Sequence, residues 1–257
     1  MKLHLEGKTA LITGGSKGIG LASAKLLSEE GCNLVLVARD EAGLAQAAAQ
    51  INPAKGQTVQ TVAVDVADPG TPAQLVAQFP NIDILVNNAG AIPGGALEQV
   101  SAEAWRKSWD LKVYGIIEMT RNFYATMAAQ QKGVIVNIIG WAGQRVDANY
   151  LAGSMGNASL IAMTRALGSK SPQDGVRVVG INPGPVDTDR LEFLQRKKAE
   201  TELGDADRWP ELVAQLPFGR AAKKEEIAAS VAFLASDLSG YTSGSVLEID
   251  GGLSWKL

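Results

Sequence analysis

The sequence contains one cysteine, Cys32, and one histidine, His4, and both shortages limit its chemistry. A single thiol cannot form a disulfide within the chain. A lone imidazole near the N-terminus excludes histidine-based acid–base catalysis and multi-histidine metal sites. The formal net charge of −3 gives no general attraction to nucleic acid or to an anionic membrane. We therefore expect neither a metal site nor a nucleic-acid partner.

Long uninterrupted apolar runs are missing as well. No uncharged apolar run approaches the roughly 20 residues that span a bilayer, and residues 1–7 lack the apolar core of a secretory signal. We therefore expect a cytoplasmic protein with no membrane partner. The 257 residues, of which 46% are apolar, suffice for one large core. No repeat or linker divides them, which predicts a single domain over residues 1–257.

A glycine-rich stretch, TGGSKGIG at residues 13–20, follows a short apolar run and precedes an amphipathic one. A strand, a tight turn and a helix in this order bind phosphate, because the N-terminus of the helix offers unpaired N–H groups. Gly14 allows the tight turn, Gly18 the approach of a pyrophosphate, and Gly20 the packing of the helix on its strand. The alternative is an ordinary glycine-rich turn.

A base and an acid, Arg39 and Asp40, follow the second predicted strand. At this distance from the glycine loop an acid binds the ribose 2′-OH of NAD, whereas an arginine pairs with the 2′-phosphate of NADP. We favour Arg39, which comes first after the strand and has Lys17 of the glycine loop as a second cation. The sequence thus predicts NADP rather than NAD. The alternative is that both cations are solvated surface residues.

Seven apolar segments rich in Val and Ile alternate with segments of helical periodicity. The predicted strands are 9–12, 33–38, 58–64, 82–86, 134–139, 176–181 and 246–249. Nearly continuous apolarity and alternation with helices indicate a parallel sheet covered on both faces. Right-handed crossovers then give a doubly wound, Rossmann-type α/β fold with a seven-stranded parallel sheet.

Residues 187–218 are charged and helical without a strand partner, so we expect them to form a lid over the crevice. The basic residues of this segment alternate with acids. They are Arg190, Arg196, Lys197 and Lys198. This alternation favours a solvated helix over a site for an anionic substrate.

Several motifs, in order, resemble the short-chain dehydrogenase/reductase family over essentially the whole chain. They are TGGSKGIG at 13–20, Asp65, NNAG at 87–90, NPGPV at 182–186 with Thr188, and DGG at 250–252. The resemblance implies further cofactor-binding residues: Ser16 and Ile19 at the diphosphate, Asp65 and Val66 at the adenine, Asn88, Ala89 and Gly90 on the adenosine side, and Pro183, Gly184, Val186 and Thr188 at the nicotinamide and pyrophosphate. Asp65 is equally open to a purely structural interpretation.

The four catalytic residues typical of that family are missing from the matching positions. The family's serine, tyrosine, lysine and asparagine correspond to Gly140, Gly153, Asn157 and Lys112. Tyr150 precedes Gly153 by three residues, about 4.5 Å along a helix axis, which the length of a tyrosine can bridge. We predict Tyr150 as the replacement proton donor and Lys112 as the cation that lowers the pKa of the phenol. The alternative is that Tyr150 packs at a subunit contact and Lys112 is a structural, ion-paired residue.

Three functions remain open on these observations. The first is an NAD(P)-dependent oxidoreductase that acts on a small carbonyl or alcohol substrate through a non-standard active site. The second is a catalytically silent NADP-binding subunit, regulatory or paired with an active relative in a hetero-oligomer. The third is a lyase or isomerase without net hydride transfer. The intact cofactor loop favours the first two. The resemblance also implies a homotetramer or homodimer, with the helices at 102–131 and 150–170 against a symmetric partner.

Overall fold

A computed structural model describes residues 2–255; Met1, Lys256 and Leu257, which the predicted domain includes, lie outside the described residues. The strands are β1 (Thr9–Thr13), β2 (Asn33–Ala38), β3 (Val59–Ala63), β4 (Ile84–Asn87), β5 (Gly133–Ile138), β6 (Val176–Pro183) and β7 (Val246–Ile249). They form one sheet in the order β3-β2-β1-β4-β5-β6-β7, and each neighbouring pair is parallel. The predicted seven-stranded parallel sheet is confirmed.

Helices connect the strands and cover both faces of the sheet. They are α1 (Gly18–Glu29), α2 (Glu41–Ala49), α3 (Thr71–Gln78), α4 (Ala102–Trp109), α5 (Gly115–Ala129), α6 (Leu151–Lys170), α7 (Asp189–Leu203), α8 (Trp209–Val213) and α9 (Lys224–Ala235). The continuous helix predicted over 102–131 is interrupted by a π-helical turn, Asp110–Tyr114, between α4 and α5. Among the described residues, no helix combines the length and the apolarity needed to cross a bilayer.

Alternate residues of the strands enter two separate cores. Ile12, Leu36 and Val86 join side chains of α1 and α9 on one face. Leu11, Val37 and Leu85 join side chains of α3 and α5 on the other. Side chains of a strand point alternately to the two faces, so a strand buried on both must be apolar throughout. For this reason the apolar runs of the sequence coincide with the strands.

The order of the strands reverses direction between β1 and β4, which lie side by side although β2 and β3 separate them in the chain. The connections leave these two strands toward opposite faces of the sheet, and a crevice opens between them at their carboxyl ends. The glycine loop follows β1, and residues 88–90 follow β4. The fold therefore brings two of the sequence motifs to one crevice.

Candidate active site

The glycine loop crosses from β1 to the N-terminus of α1 in a backbone conformation that suits glycine. Gly14 and Gly18 have φ angles of +66° and +58°. A Cβ on Gly14 would lie 2.8 Å from the amide nitrogen Nδ2 of Asn88, too close for a side chain. Helix α1 begins at Gly18, and no side chain caps its first N–H groups. The loop therefore leaves these donors available for an anion.

Asn88 and Ala89 hold the glycine loop in place from the neighbouring strand. The side chain of Asn88 donates to the carbonyl oxygens of Thr13 and Gly14 at 3.0 and 3.2 Å. The backbone N–H groups of Asn88 and Ala89 both donate to Thr13 Oγ1 at 3.0 Å. The predicted adenosine-side residues and the predicted phosphate loop are thus hydrogen-bonded to each other across the crevice.

The residues predicted to bind the adenosine end of the cofactor lie together after β2 and β3. The guanidinium of Arg39 lies 3.7 Å from a carboxylate oxygen of Asp65, and both side chains are exposed. The other carboxylate oxygen of Asp65 accepts from the N–H of Ala67 at 3.0 Å. The neighbouring Val66 is buried. Asp40 lies at the N-terminus of α2 and turns toward Gly43, so Arg39 is the residue directed at Asp65.

Residues 183–188 form the wall of the crevice beyond β6. The N–H of Gly184 donates to the carbonyl of Ile249 at 2.9 Å, and Val186 forms a bridge with Ala222. Thr188 caps α7 by accepting from the N–H of Leu191 at 3.3 Å. A Cβ on Gly18 would lie 3.6 Å from the methyl group of Thr188. Ser16 and Lys17 precede Gly18 in the loop, and Ile19 and Gly20 follow it in the first turn of α1. The predicted nicotinamide-side residues and the phosphate loop therefore face each other.

Tyr150 and Gly153 share one volume at the start of α6. A Cβ on Gly153 would lie 2.7 Å from Cδ1 of the Tyr150 ring and closer still to two further ring atoms. Tyr150 is the residue that precedes the helix, and its backbone pairs with that of Gly95. The phenol ring thus occupies the place where a side chain at position 153 would begin.

Gly140 and Asn157 are related in a similar way. A Cβ on Gly140 would lie 2.8 Å from Nδ2 of Asn157. The N–H of Gly140 donates to Oδ1 of Asn182 at 3.3 Å. Oδ1 of Asn157 is buried and has no hydrogen-bond partner among the described residues. An uncharged amide therefore occupies the space beside Gly140, and it supplies no cation there.

Lys112 lies in the π-helical turn and is 7% exposed. Its ammonium donates to the carbonyl of Ile138 at 2.6 Å. Its methylene groups pass over Gly90, where a Cβ would lie 3.1 Å from Cγ and closer to Cδ. Burial lowers the pKa of Lys112 from 10.5 to about 8, because the charged form loses its hydration.

Arg190, at the start of α7, is the cation whose charge reaches Tyr150. Burial raises the pKa of the Tyr150 phenol, and the positive charge of Arg190 opposes this rise. The guanidinium of Arg190 donates to the carbonyl of Ile92 at 2.5 Å. Lys112, for which the sequence predicts this electrostatic role, directs its ammonium to Ile138 instead. No pattern in the sequence singles out Arg190 from the other basic residues of its segment.

A hydrogen-bonded network of buried amides and hydroxyls lies beneath the crevice; Asn87 belongs to the NNAG motif, but the motif does not predict these bonds. Asn87 Nδ2 donates to Thr120 Oγ1 at 3.0 Å and to Asn137 Oδ1 at 2.9 Å. Asn137 Nδ2 in turn donates to Thr164 Oγ1 at 3.0 Å. These bonds connect β4, β5, α5 and α6. This network of hydrogen bonds fixes α6, which carries Gly153 and Asn157, against the sheet.

Comparisons with known proteins identify relatives over the full length of the fold. Residues 14–254 match the family model described as Enoyl-(Acyl carrier protein) reductase. The 3-oxoacyl-(acyl-carrier-protein) reductase FabG of Vibrio cholerae is 33% identical over 258 residues, which are 98% of this chain and 99% of that protein. The cis-4-hydroxycyclohexanecarboxylate dehydrogenase of Sinomonas cyclohexanicum is 34% identical and covers 95% of this chain and 96% of its own.

A solved structure shows the same architecture. The L-sorbose reductase of Gluconobacter frateurii, complexed with NADPH and L-sorbose, superposes with a TM-score of 0.90 at 32% identity over 100% of both chains. The sequence motifs, the order of the strands in the sheet and the relatives all indicate the same family. This chain belongs to the short-chain dehydrogenase/reductase family of NAD(P)-dependent oxidoreductases.

Proposed function

We propose that this protein is an NADP-dependent reductase of small ketones or aldehydes that uses Tyr150 as its proton donor. The observation that carries the proposal is the position of the Tyr150 ring over Gly153, where the family's tyrosine side chain would begin. The chain thus has a phenol at the start of α6 although the matching position is a glycine. The reductases among its relatives support the direction of the reaction.

The residues of the crevice fit a dinucleotide phosphate. The uncapped N-terminus of α1 offers N–H groups to the pyrophosphate, and the missing side chain of Gly18 leaves room for it beside Thr188. Arg39 and Lys17 are both exposed, and each has only a distant carboxylate partner, at 3.7 and 3.8 Å. Such loose pairs on the surface contribute little to stability, so both cations remain free to bind a 2′-phosphate.

Each group in the site then has a chemical task. When bound, the reduced nicotinamide supplies a hydride to the carbonyl carbon. Tyr150 donates the proton of its hydroxyl to the carbonyl oxygen, and solvent later restores that proton. Its raised pKa keeps the phenol protonated at neutral pH, and the charge of Arg190 stabilises the phenolate that forms. Lys112 holds the carbonyl of Ile138 and shapes the floor at Gly90, where burial lowers the pKa of its ammonium to about 8.

We further propose that residues 1–257 fold as one domain and that residues 187–218 act as a lid. Two contacts of residues 187–218 support the proposed lid. Asp189 lies 3.8 Å from the ammonium of Lys17 in the glycine loop, and Arg190 binds the carbonyl of Ile92 beyond β4. The lid thus touches both sides of the crevice. Hydrogen exchange with and without NADPH tests this role: the lid's amides should gain protection, and unchanged exchange would contradict it.

A turnover assay tests the proposed function. The protein should oxidise NADPH when it is mixed with a member of a panel of ketones and aldehydes, and the alcohol should form in equal amount. Calorimetry measures the affinity for NADPH in parallel. Tight binding without reduction of any panel member would contradict a reductase and favour a silent subunit. Conversion of a substrate without change in the NADPH concentration would favour a lyase or isomerase.

A further inference from the structure

We infer that Arg190 recognises a carboxylate on the substrate, so that this enzyme acts on carbonyl compounds that carry an acidic group. The inference rests on the proposed function, because it names the substrate class of that site. The sequence places Arg190 on a solvated helix, and Arg190 is exposed in the structure. Its guanidinium nevertheless has a fixed contact, because it donates to the carbonyl of Ile92, in the loop after β4, at 2.5 Å.

The charge of Arg190 has no carboxylate partner within residues 2–255, although acids surround it in the sequence. Asp189 is directed at Lys17, at 3.8 Å. Glu192 binds Arg196 at 2.8 Å, and Arg196 also binds Asp207 at 2.6 Å. Among the described residues, none of these acids lies within 4 Å of the Arg190 guanidinium. A guanidinium carries five N–H donors, and the carbonyl of Ile92 accepts from only one of its nitrogens.

The surroundings of Arg190 place this charge beside the proposed proton donor. Ile92 belongs to the loop that follows β4, and Gly95 of the same loop pairs with the backbone of Tyr150. The charge of Arg190 is near enough to act on the Tyr150 phenol. The ring of Phe193 lies 5.9 Å from the guanidinium carbon and packs against it. The guanidinium therefore has two fixed contacts, the carbonyl of Ile92 and the ring of Phe193.

The planar fork of a guanidinium matches the two oxygens of a carboxylate, so the free donors of Arg190 can hold an acid in one orientation. A phosphate dianion usually needs more than one cation. The next cation of the crevice, Lys17, lies toward the glycine loop and faces Asp189. A single free guanidinium therefore fits a carboxylate better than a phosphate. The carbon skeleton of a small oxo acid would bridge the distance between the guanidinium of Arg190 and the reacting carbonyl.

A matched pair of substrates tests the inference. The rates of NADPH oxidation are compared for 4-oxocyclohexanecarboxylate and for its methyl ester, which lacks the negative charge. We expect the acid to have a kcat/KM about 10- to 100-fold higher than the ester, as typical of charge-assisted hydrogen bonds. In Arg190→Gln both substrates lose the stabilisation of the phenolate, but only the acid also loses its carboxylate contact, so the ratio of kcat/KM for acid over ester should fall to about one. Equal use of acid and ester by the wild-type protein would overturn the inference.

Two controls show whether the preference for the acid belongs to Arg190 itself. Arg196→Gln removes a basic residue from the same helix that is already bound to two acids, and it should leave the preference unchanged. Calorimetric titration of the oxo acid into the NADP-loaded Tyr150→Phe variant measures binding without turnover. Binding that depends on Arg190 in this background supports the inference even if the proposed proton donor is wrong. No binding of the acid, or binding that survives the change of Arg190, would overturn it.

Discussion

The ring of Tyr150 lies over the backbone of Gly153, and a Cβ on that glycine would be 2.7 Å from Cδ1 of the ring. The orientation of the phenol therefore depends on the absence of a side chain three residues later. Gly153→Ala should push the ring aside. We expect kcat for ketone reduction to fall by about 10²-fold or more, the scale of a misplaced general acid, with little change in NADPH affinity.

The matched control is Gly70→Ala, where the added Cβ would meet no atom closer than 3.6 Å. This variant should keep its activity. Thermal unfolding of both variants separates a displaced ring from a loss of folded protein. A fully active Gly153→Ala protein would show that the phenol is not the donor in this orientation.

Because the ammonium of Lys112 is buried, the free energy of unfolding changes with pH in the alkaline range. Its pKa is lowered from 10.5 in the unfolded chain to about 8 in the folded protein. Between these values the unfolded state binds more protons, so the free energy of unfolding rises with pH over this range. The difference between the two pKa values corresponds to about 3 kcal/mol at most. Urea unfolding between pH 7 and pH 11 measures this gain.

Lys112→Met keeps nearly the length of the side chain and removes the titration. Its stability relative to the wild-type protein should be greatest below pH 8 and should decline as the pH rises toward 10.5. If the free energies of unfolding of the wild-type protein and of Lys112→Met changed equally with pH, the assignment of this titration to Lys112 would be wrong. In kinetics, the same variant should lower kcat and shift the alkaline limb of the pH–rate profile.

Arg39 should decide the choice between the two dinucleotides. Arg39→Ala removes a charge-assisted contact to the 2′-phosphate, so the affinity for NADP should fall by about 10- to 100-fold. Affinity for NAD should stay nearly constant. The control is Lys25→Ala on α1, whose ammonium binds Gln50. Calorimetric titration of both nucleotides gives the comparison, and an unchanged affinity of Arg39→Ala for NADP would refute this role.

Assembly is a further prediction, supported by exposed apolar side chains on the helices expected at a subunit contact. Tyr114, in the π-helical turn, and Met155, on α6, are 54% and 48% exposed. Burial of such side chains against a second copy would stabilise a closed homodimer or homotetramer. Light scattering at micromolar concentration should give a mass of two or four chains. A single-chain mass would contradict this prediction.

The sheet can be predicted from the sequence because its strands are buried on both faces. β2 and β7 have the bounds that the apolar runs at 33–38 and 246–249 indicate. The cofactor motifs can be placed for the same reason, since each follows a strand. The π-helical turn cannot, because one extra residue in a turn changes the apolar periodicity of 102–131 very little.

The relation between Arg190 and Tyr150 is equally beyond reach of the sequence. The two residues are 40 positions apart, and their proximity depends on how α7 crosses the loop after β4. Acids alternating with bases predict solvated pairs, and Arg196 does form such pairs. Only the packing of the lid distinguishes Arg190 from Arg196. The family resemblance, together with the three-residue spacing from Gly153, predicts Tyr150 as the donor, but the place of its ring over Gly153 depends on the turn that precedes α6.

The most direct test of the account is a single-turnover measurement on Tyr150→Phe. Loss of the phenolic proton should slow hydride transfer from bound NADPH to a ketone by about 10²- to 10⁴-fold, while calorimetry shows unchanged NADPH affinity. Tyr241→Phe removes the hydroxyl of a fully exposed tyrosine and should react as the wild-type protein does. If Tyr150→Phe transfers its hydride at the wild-type rate, Tyr150 is not the proton donor and the central claim is wrong.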